Sequence, residues 1–534
     1  MEFDYIVVGA GSAGCVMANR LTEDAATKVL LLEAGDWDRD PWIHIPLGIG
    51  KIFPNRLHDW MYFTDNEETM NGRSIECARG KVIGGSSSVN VMAYVRGHRA
   101  DYDRWAEGGL PEWSYANVLP YFRKAETWDG PASPYRGKDG PLSVRESRYR
   151  DPLLAAFMAA GRSAGYPHTD DYNGEQQEGL GVIQETIRNG RRSSAATAYL
   201  RPARKRANLR VEVNALATRI VMDGRSARGV ACVVNGASRT FHCRKEVILC
   251  GGTINSPQLL MLSGIGDPEQ LKPHGIAVTA PLPGVGQNLQ DHMSYLARYT
   301  RREISPFQKS MRLDKLAWSA VSAYVFGRGF ASDIPIGLTA FLKSHPAAAV
   351  PDIQFLFLAA PFPTKPYFAP FIAPSPDGFG CRVALLRPQS RGTVTLRSAE
   401  PTAHPRIKQN FLSTDDDRRL LRDSLQMIRT VAAQPALAPF IDREIAPGPD
   451  VTAPADIDAF IRETGVTVHH PVGTCRMGAV SDPTAVVDPQ LRVKGVDRLR
   501  VVDASVMPSL IGGNTNAAVI MIAEKAADMM RRTL

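Results

Sequence analysis

No stretch of this chain approaches the roughly 18 uninterrupted apolar residues of a membrane-spanning helix. The first apolar run begins almost at Met1, which leaves no room for a charged leader, so no signal peptide is expected. Cysteine is scarce: seven residues (15, 77, 232, 243, 250, 381 and 475), odd in number and without a CxxC pair. That argues against a disulfide framework or a zinc site and predicts a reduced, cytoplasmic compartment. His469 and His470 adjoin, but no third ligand cluster accompanies them, so no metal is expected. No internal repeat or low-complexity tract is found.

Charge of one sign is only mildly in excess, at +8. The densest basic patch, Arg188 to Arg210, holds Arg191, Arg192, Arg201, Arg204, Lys205 and Arg206, with only Tyr199 interleaved. A nucleic-acid groove needs a docking element or several aromatic platforms, so none is expected. The patch reads as a solvated face, with weak attraction to an anionic membrane surface or an acidic partner as the alternative.

What is present is a globular composition, 44% hydrophobic and 22% charged, and at 534 residues enough chain for two domains. The β-branched run Ile6-Val7-Val8 stops at Gly9-Ala10-Gly11-Ser12-Ala13-Gly14, and a helical segment follows. Strand, glycine loop and helix in that order cradle a pyrophosphate. Gly9 permits the turn, Gly11 the approach of the phosphate, and Gly14 close packing of helix on strand. A second strand, Lys28 to Leu32, ends at Glu33, 19 residues past Gly14, where an acid can accept hydrogen bonds from ribose hydroxyls. Ahead of an apolar helical run, Gly84-Gly85-Ser86-Ser87-Ser88 makes a second backbone-rich helix start, as a ligand with two ends would require. Residues 208–250 read as successive strands ending in Gly251-Gly252. Trp60-Met61-Tyr62 lies in an aperiodic loop and suits core packing or cofactor cover. Residues 362–376 mix five prolines with four aromatics, which excludes a helix or central strand and leaves a surface loop or an apolar flap over a pocket.

Residues 80–103 resemble the first signature of the glucose–methanol–choline (GMC) oxidoreductase superfamily, and Gly252–Gly266 resemble the second. The resemblance extends to the N-terminal loop, to Pro283–His292 and to most of the last 70 residues. It implies FAD and an α/β, Rossmann-like FAD-binding domain, with an α+β substrate domain on an antiparallel sheet. The expected division gives 1–150, 206–300 and 476–534 to the FAD-binding domain, and 151–205 and 301–475 to the substrate domain. Implied cofactor contacts are Gly9, Gly11, Ser12, Ala13, Gly14, Glu33, Ala34, Val82, Gly84, Ser86, Asn90, Val91, Met92 and Ala93. Ala217 falls at a main-chain adenine contact, and Asp503, Ala504, Thr515 and Asn516 fall at the flavin end. Val89 stands where some members attach FAD through a histidine, so the FAD is expected to be non-covalent.

Oxidising an alcohol requires a base within hydrogen-bond reach of the hydroxyl and a second group to orient the oxygen. By position His470 matches the family's base and Asn514 its partner. His469, Trp60 and Phe362 are taken as pocket residues. The resemblance points to bacterial short-form dehydrogenases, with an L-sorbose-like primary alcohol as first expectation. Choline, aromatic or aliphatic alcohols, and hydroxynitrile cleavage on the same fold are the alternatives. Choline would want a carboxylate and an aromatic cage, and the sequence displays none. The electron acceptor (quinone, artificial acceptor or dioxygen) stays open.

Overall fold

The structure, a computed structural model, describes residues 2–361 and 364–532. Runs that are apolar at every position call for strands buried on both faces. Phe3–Val8 (β1) is such a run but for Asp4, and Val29–Leu32 (β2) is one throughout; every residue in both is buried. They pair in parallel, Tyr5 opposite Val29 through Val8 opposite Leu32, with helix Ser12–Leu21 (α1) between them in sequence. Leu209–Glu212 extends the parallel sheet beyond β2. On the other side lies the C-terminal half of Ala237–Leu249, followed by Leu499–Val501. The N-terminal half of Ala237–Leu249 instead runs antiparallel to Ser226–Val234, which pairs with Ala215–Asp223. The strands expected across 208–250 are therefore present. The helix Asn516–Arg532 packs on α1, joined by Arg20 to the buried Glu524 at 2.6 Å.

A second seven-stranded sheet is antiparallel throughout. Its order is Ile441–Ala446, Met293–Arg301, Gly378–Leu385, Ile353–Leu358, Ile336–Leu342, Gly179–Val182, with Val466–Thr467 added beside Met293–Arg301. Side chains alternate between faces. Tyr295, Phe355, Phe357 and Val383 point into a core shared with the amphipathic helix Asp415–Ala432. Leu296, Leu356 and Arg382 point the other way, into a cavity against the first sheet. Because Met293–Arg301 is a strand of this second sheet, the change of sheet falls before residue 293 rather than at 300.

The basic patch is not one solvated face. Arg192 is buried and donates to the carbonyl oxygens of Ile43 (2.8 Å) and Asn90 (2.6 Å). The turn that follows Gly84 leaves carbonyls without backbone partners, and this guanidinium satisfies them. Burial pushes Arg192 down to about 9. Arg206 likewise donates to Thr22 Oγ1 at 2.9 Å.

A Cβ on Gly14 would lie 1.8 Å from the Gly9 carbonyl oxygen, which is backbone and cannot yield. Gly14→Val is expected to cost about 1–3 kcal/mol of stability through overpacking, read as a lower thermal midpoint.

Candidate active site

β1 ends at Gly9, whose φ of +97° only glycine adopts freely. α1 begins at Gly11 with no side-chain cap, so its first N–H groups remain open to an anion. The second glycine turn presses against this loop: a Cβ on Gly85 would meet Gly11 Cα at 2.7 Å. Glu33 is buried, with Oε2 accepting from Ala10 N at 2.8 Å and Oε1 from Gly35 N at 2.9 Å. Burial raises its carboxyl to about 7. Asp503 is also buried, accepting from Ser256 Oγ (2.6 Å), Gly252 N (2.9 Å) and Ser505 N (2.8 Å).

These groups border a cavity of about 1070 Å³ between the two sheets. Gly9, Gly11, Ser12, Ala13, Glu33 and Ala34 line one part of it. Ser86, Asn90, Val91, Met92 and Ala93 form a second wall. Ala217, Asp503, Ala504, Thr515 and Asn516 also face it, and Ser12 Oγ donates to Asn516 Oδ1 at 2.7 Å. Three further expected contacts pack against this lining. Gly14 packs on Gly9, Val82 packs with Ile43 and Ile52, and Gly84 N donates to Ala10 O at 2.7 Å. Open helix N–H groups, a carboxylate at the end of β2 and two glycine turns in contact fit a flavin dinucleotide.

His470 and Asn514 meet in this cavity. Asn514 Nδ2 is 3.1 Å from His470 Nε2, and His470 Nδ1 is 3.1 Å from Nδ1 of His292. The protons can be assigned from the acceptors. His292 Nε2 lies 3.1 Å from two carbonyl oxygens, those of Leu386 and Ile511, so it must carry hydrogen. Burial lowers the His292 pKa to about 4, so the ring is neutral and its Nδ1 is bare. His470 must then donate from Nδ1, which leaves Nε2 as a lone pair held by the Asn514 amide. Gln354 Nε2, 3.4 Å from Asn514 Oδ1, fixes that amide the right way round. Burial first, then the neighbouring His292, Arg79 and His469, holds the His470 pKa well below the usual 6.5.

The backbone supports this. His470 N donates to Asp291 Oδ1 at 2.8 Å, and Asp291, raised by burial to about 6, also accepts from the Thr467 hydroxyl. Gly512, two residues before Asn514, donates its N–H to buried Asp101 at 2.8 Å. His469 adopts φ +64°, sets its ring edge-on to Phe53 at 5.3 Å, and has a buried Nδ1 without a hydrogen-bond partner. It is a wall of the cavity. Trp60 also borders the cavity while stacking on Tyr62 at 5.7 Å. Phe362 lies outside the described residues. Sequence reasoning missed His292, Asp291 and Gln354. The first two close the stretch Pro283–His292, where a histidine beside an acid was a readable signal; Gln354 carried none.

Family models described as GMC oxidoreductase match residues 3–294 and 388–523. The chain belongs to the GMC oxidoreductase family: it is a flavoprotein that binds FAD and acts on CH–OH groups. It is 47% identical over 539 residues to the mitochondrial choline dehydrogenase of Homo sapiens, covering 99% of this chain and 90% of that protein. It is 44% identical to the oxygen-dependent choline dehydrogenase of Brucella anthropi, covering 99% and 95%. Among solved structures, pyridoxine 4-oxidase from Mesorbium loti matches with TM-score 0.88 at 33% identity, covering 99% of each chain. A formate oxidase variant from Aspergillus oryzae matches with TM-score 0.91 at 27% identity, covering 100% and 98%. No helix among the described residues is long and apolar enough to cross a membrane.

Three outcomes are expected. Protonation at Nε2 takes away the His470 lone pair, so with His470 as the base the acid limb of kcat/KM is expected below pH 6.5, the ordinary histidine value that burial depresses here. Stability changes in the same direction: between pH 6.5 and about 4 the unfolded chain binds a proton that folded His292 refuses, so the thermal midpoint falls as pH drops through that window. His292→Leu frees the His470 tautomer and is expected to slow alcohol-dependent flavin reduction on the order of 10²-fold, with FAD retained. Stopped-flow absorbance and the flavin-to-protein ratio check both parts.

Proposed function

We propose that the chain takes a primary alcohol to its aldehyde, with His470 Nε2 receiving the hydroxyl proton and Asn514 orienting the oxygen. The observation that carries this reading is a neutral imidazole, its tautomer set by His292, whose bare nitrogen opens beside an amide onto the cavity. Aliphatic hydroxyls do not ionise near neutral pH, so a positioned base of this kind is what the chemistry needs. FAD supplies the hydride acceptor when bound, and Val89 offers no nucleophile for attaching it. The domain division is kept as expected, with the break near residue 300 moved ahead of Met293. Seven buried, unbridged cysteines favour a reduced compartment.

For the substrate we favour an apolar aliphatic or aromatic alcohol. The cavity lining includes Leu47, Ile49, Phe53, Ile334, Ile336 and Leu356, with Phe53 against the His469 ring. A sugar would leave several hydroxyls unpartnered against such walls, which removes support for the L-sorbose expectation. The charged groups there are mainly guanidinium: Arg382 is held below its usual range by burial, and it donates to Ser294 Oγ at 3.0 Å. Asp59 is already bound by Arg56 at 2.7 Å and Glu76 faces the same arginine at 3.8 Å. Glu76 Oε1 is buried without a hydrogen-bond partner, so Glu76 is the wall carboxylate placed to face a quaternary ammonium, which speaks for the choline reading. Choline is the second reading, favoured by the names of the relatives at 44–47% identity.

Anaerobic bleaching of the flavin by a panel of alcohols distinguishes these readings. Aromatic or aliphatic alcohols are expected to exceed choline by at least about 10-fold in kcat/KM, and choline at the head of the panel would install the second reading. His470→Ala is expected to slow bleaching by at least about 10²-fold while FAD stays bound; equal rates would remove the base assignment.

A further inference from the structure

Most large apolar side chains that the described residues expose fall in two neighbouring segments, 304–326 and 368–372. The helix Leu313–Phe326 is inside out. Its buried residues are Ser319 and Ala323, whereas Trp318, Val321, Val325 and Phe326 are exposed, at 69, 51, 52 and 64%. Trp318, Val321 and Val325 follow the i, i+3, i+7 spacing of one helical face. The loop 364–374 lies against the start of this helix, Leu313 N donating to Tyr367 O at 2.8 Å, and it adds Phe371, 81% exposed. A continuous apolar surface of this kind marks an interaction site.

Its rim is basic. Lys309, Lys315, Arg328 and Lys365 are exposed around it, and Arg191 donates to the carbonyls of Tyr324 and Val325 at the helix's end. Of the acids nearby, Asp314 is tied to Arg312 at 2.6 Å and Glu303 is exposed. We propose that this face docks the enzyme on an anionic phospholipid surface, with the helix in the interface plane and its basic rim among the headgroups. Apolar face, basic border and an aromatic at the centre are what an interfacial helix needs. A second copy of the chain fits worse, since a two-fold contact would bring the two basic rims together.

The face also backs onto the cavity. Phe307, which lines the cavity, packs with Met311, Ala360 and Leu316 on the helix's inner side, and Pro361 and Thr364 border the cavity from the adjoining loop. Docking would bring that side of the cavity close to the bilayer. The proposal stands whichever alcohol is oxidised.

The test uses the FAD-loaded enzyme with vesicles of phosphatidylcholine alone or mixed with phosphatidylglycerol. Sedimentation is expected with the mixed vesicles, at least about 10-fold tighter than with phosphatidylcholine alone. The double variant Trp318→Asp, Phe371→Asp is expected to lose binding by about 10-fold or more, with solution turnover on a soluble acceptor unchanged. Trp318→Phe, the conservative control for folding, should still bind while losing the fluorescence quenching that brominated acyl chains produce in the parent. The proposal is overturned if the parent stays in the supernatant, or if the aspartates leave vesicle binding intact. It is equally overturned if they only turn a dimer into a monomer.

Discussion

The hydrogen bond between His292 and His470 decides which nitrogen of the His470 ring is bare, and most of the surrounding structure serves to make that choice one-sided. Two carbonyls claim the Nε2 hydrogen of His292, one from Leu386 at the end of a strand of the antiparallel sheet and one from Ile511 before the C-terminal helix. His292 itself precedes the strand Met293–Arg301. Three segments far apart in sequence therefore fix one proton. Because the rings are buried, reversing the pair would leave a hydrogen facing a hydrogen and take the Nε2 donor from the Leu386 carbonyl, a penalty of about 1–3 kcal/mol for each buried group left unsatisfied, while Ile511 O keeps its bond from Gly513 N.

Burial acts on this site in two ways. It keeps both imidazoles neutral, so His470 Nε2 keeps its lone pair at physiological pH, and it makes any charge that develops beside it depend on the fixed dipole of the Asn514 amide rather than on water. The cavity walls preserve that condition with aliphatic and aromatic side chains. Some local strain accompanies it: Met92 and His469, both on the cavity wall, hold positive φ of 61° and 64°, each costing about 1–3 kcal/mol relative to ordinary backbone.

The glycine loops and the C-terminal helix tie this chemistry to the parallel sheet. Asn516 receives Ser12 from the phosphate loop, while Glu524, eight residues on, pairs with Arg20 of α1. One helix thus links the phosphate-loop end of the cavity to the Asn514 end. On the opposite side, the helix Leu313–Phe326 buries Ser319 and Ala323 and exposes Trp318, Val321, Val325 and Phe326, so its apolar face has no covering element among the described residues.

By itself the sequence determined the parallel sheet's first strands, the two glycine turns, the carboxylate after β2 and the flavin cofactor, and it singled out His470 and Asn514, which the structure brings to 3.1 Å. Each depends on residues close in sequence, where spacing and residue type translate directly into backbone geometry, or on a signature that several such residues share. Tertiary structure decided the rest. Arg192 looked like solvated charge until packing buried it under carbonyls more than 100 residues away. His292 and Gln354 acquired roles only when distant strands met His470 and Asn514. The sheet boundary ahead of Met293, and the outward face of Trp318 and Phe371, follow from which surfaces are left after packing. An apolar residue prefers burial, so a reading of composition alone would have placed both side chains in a core.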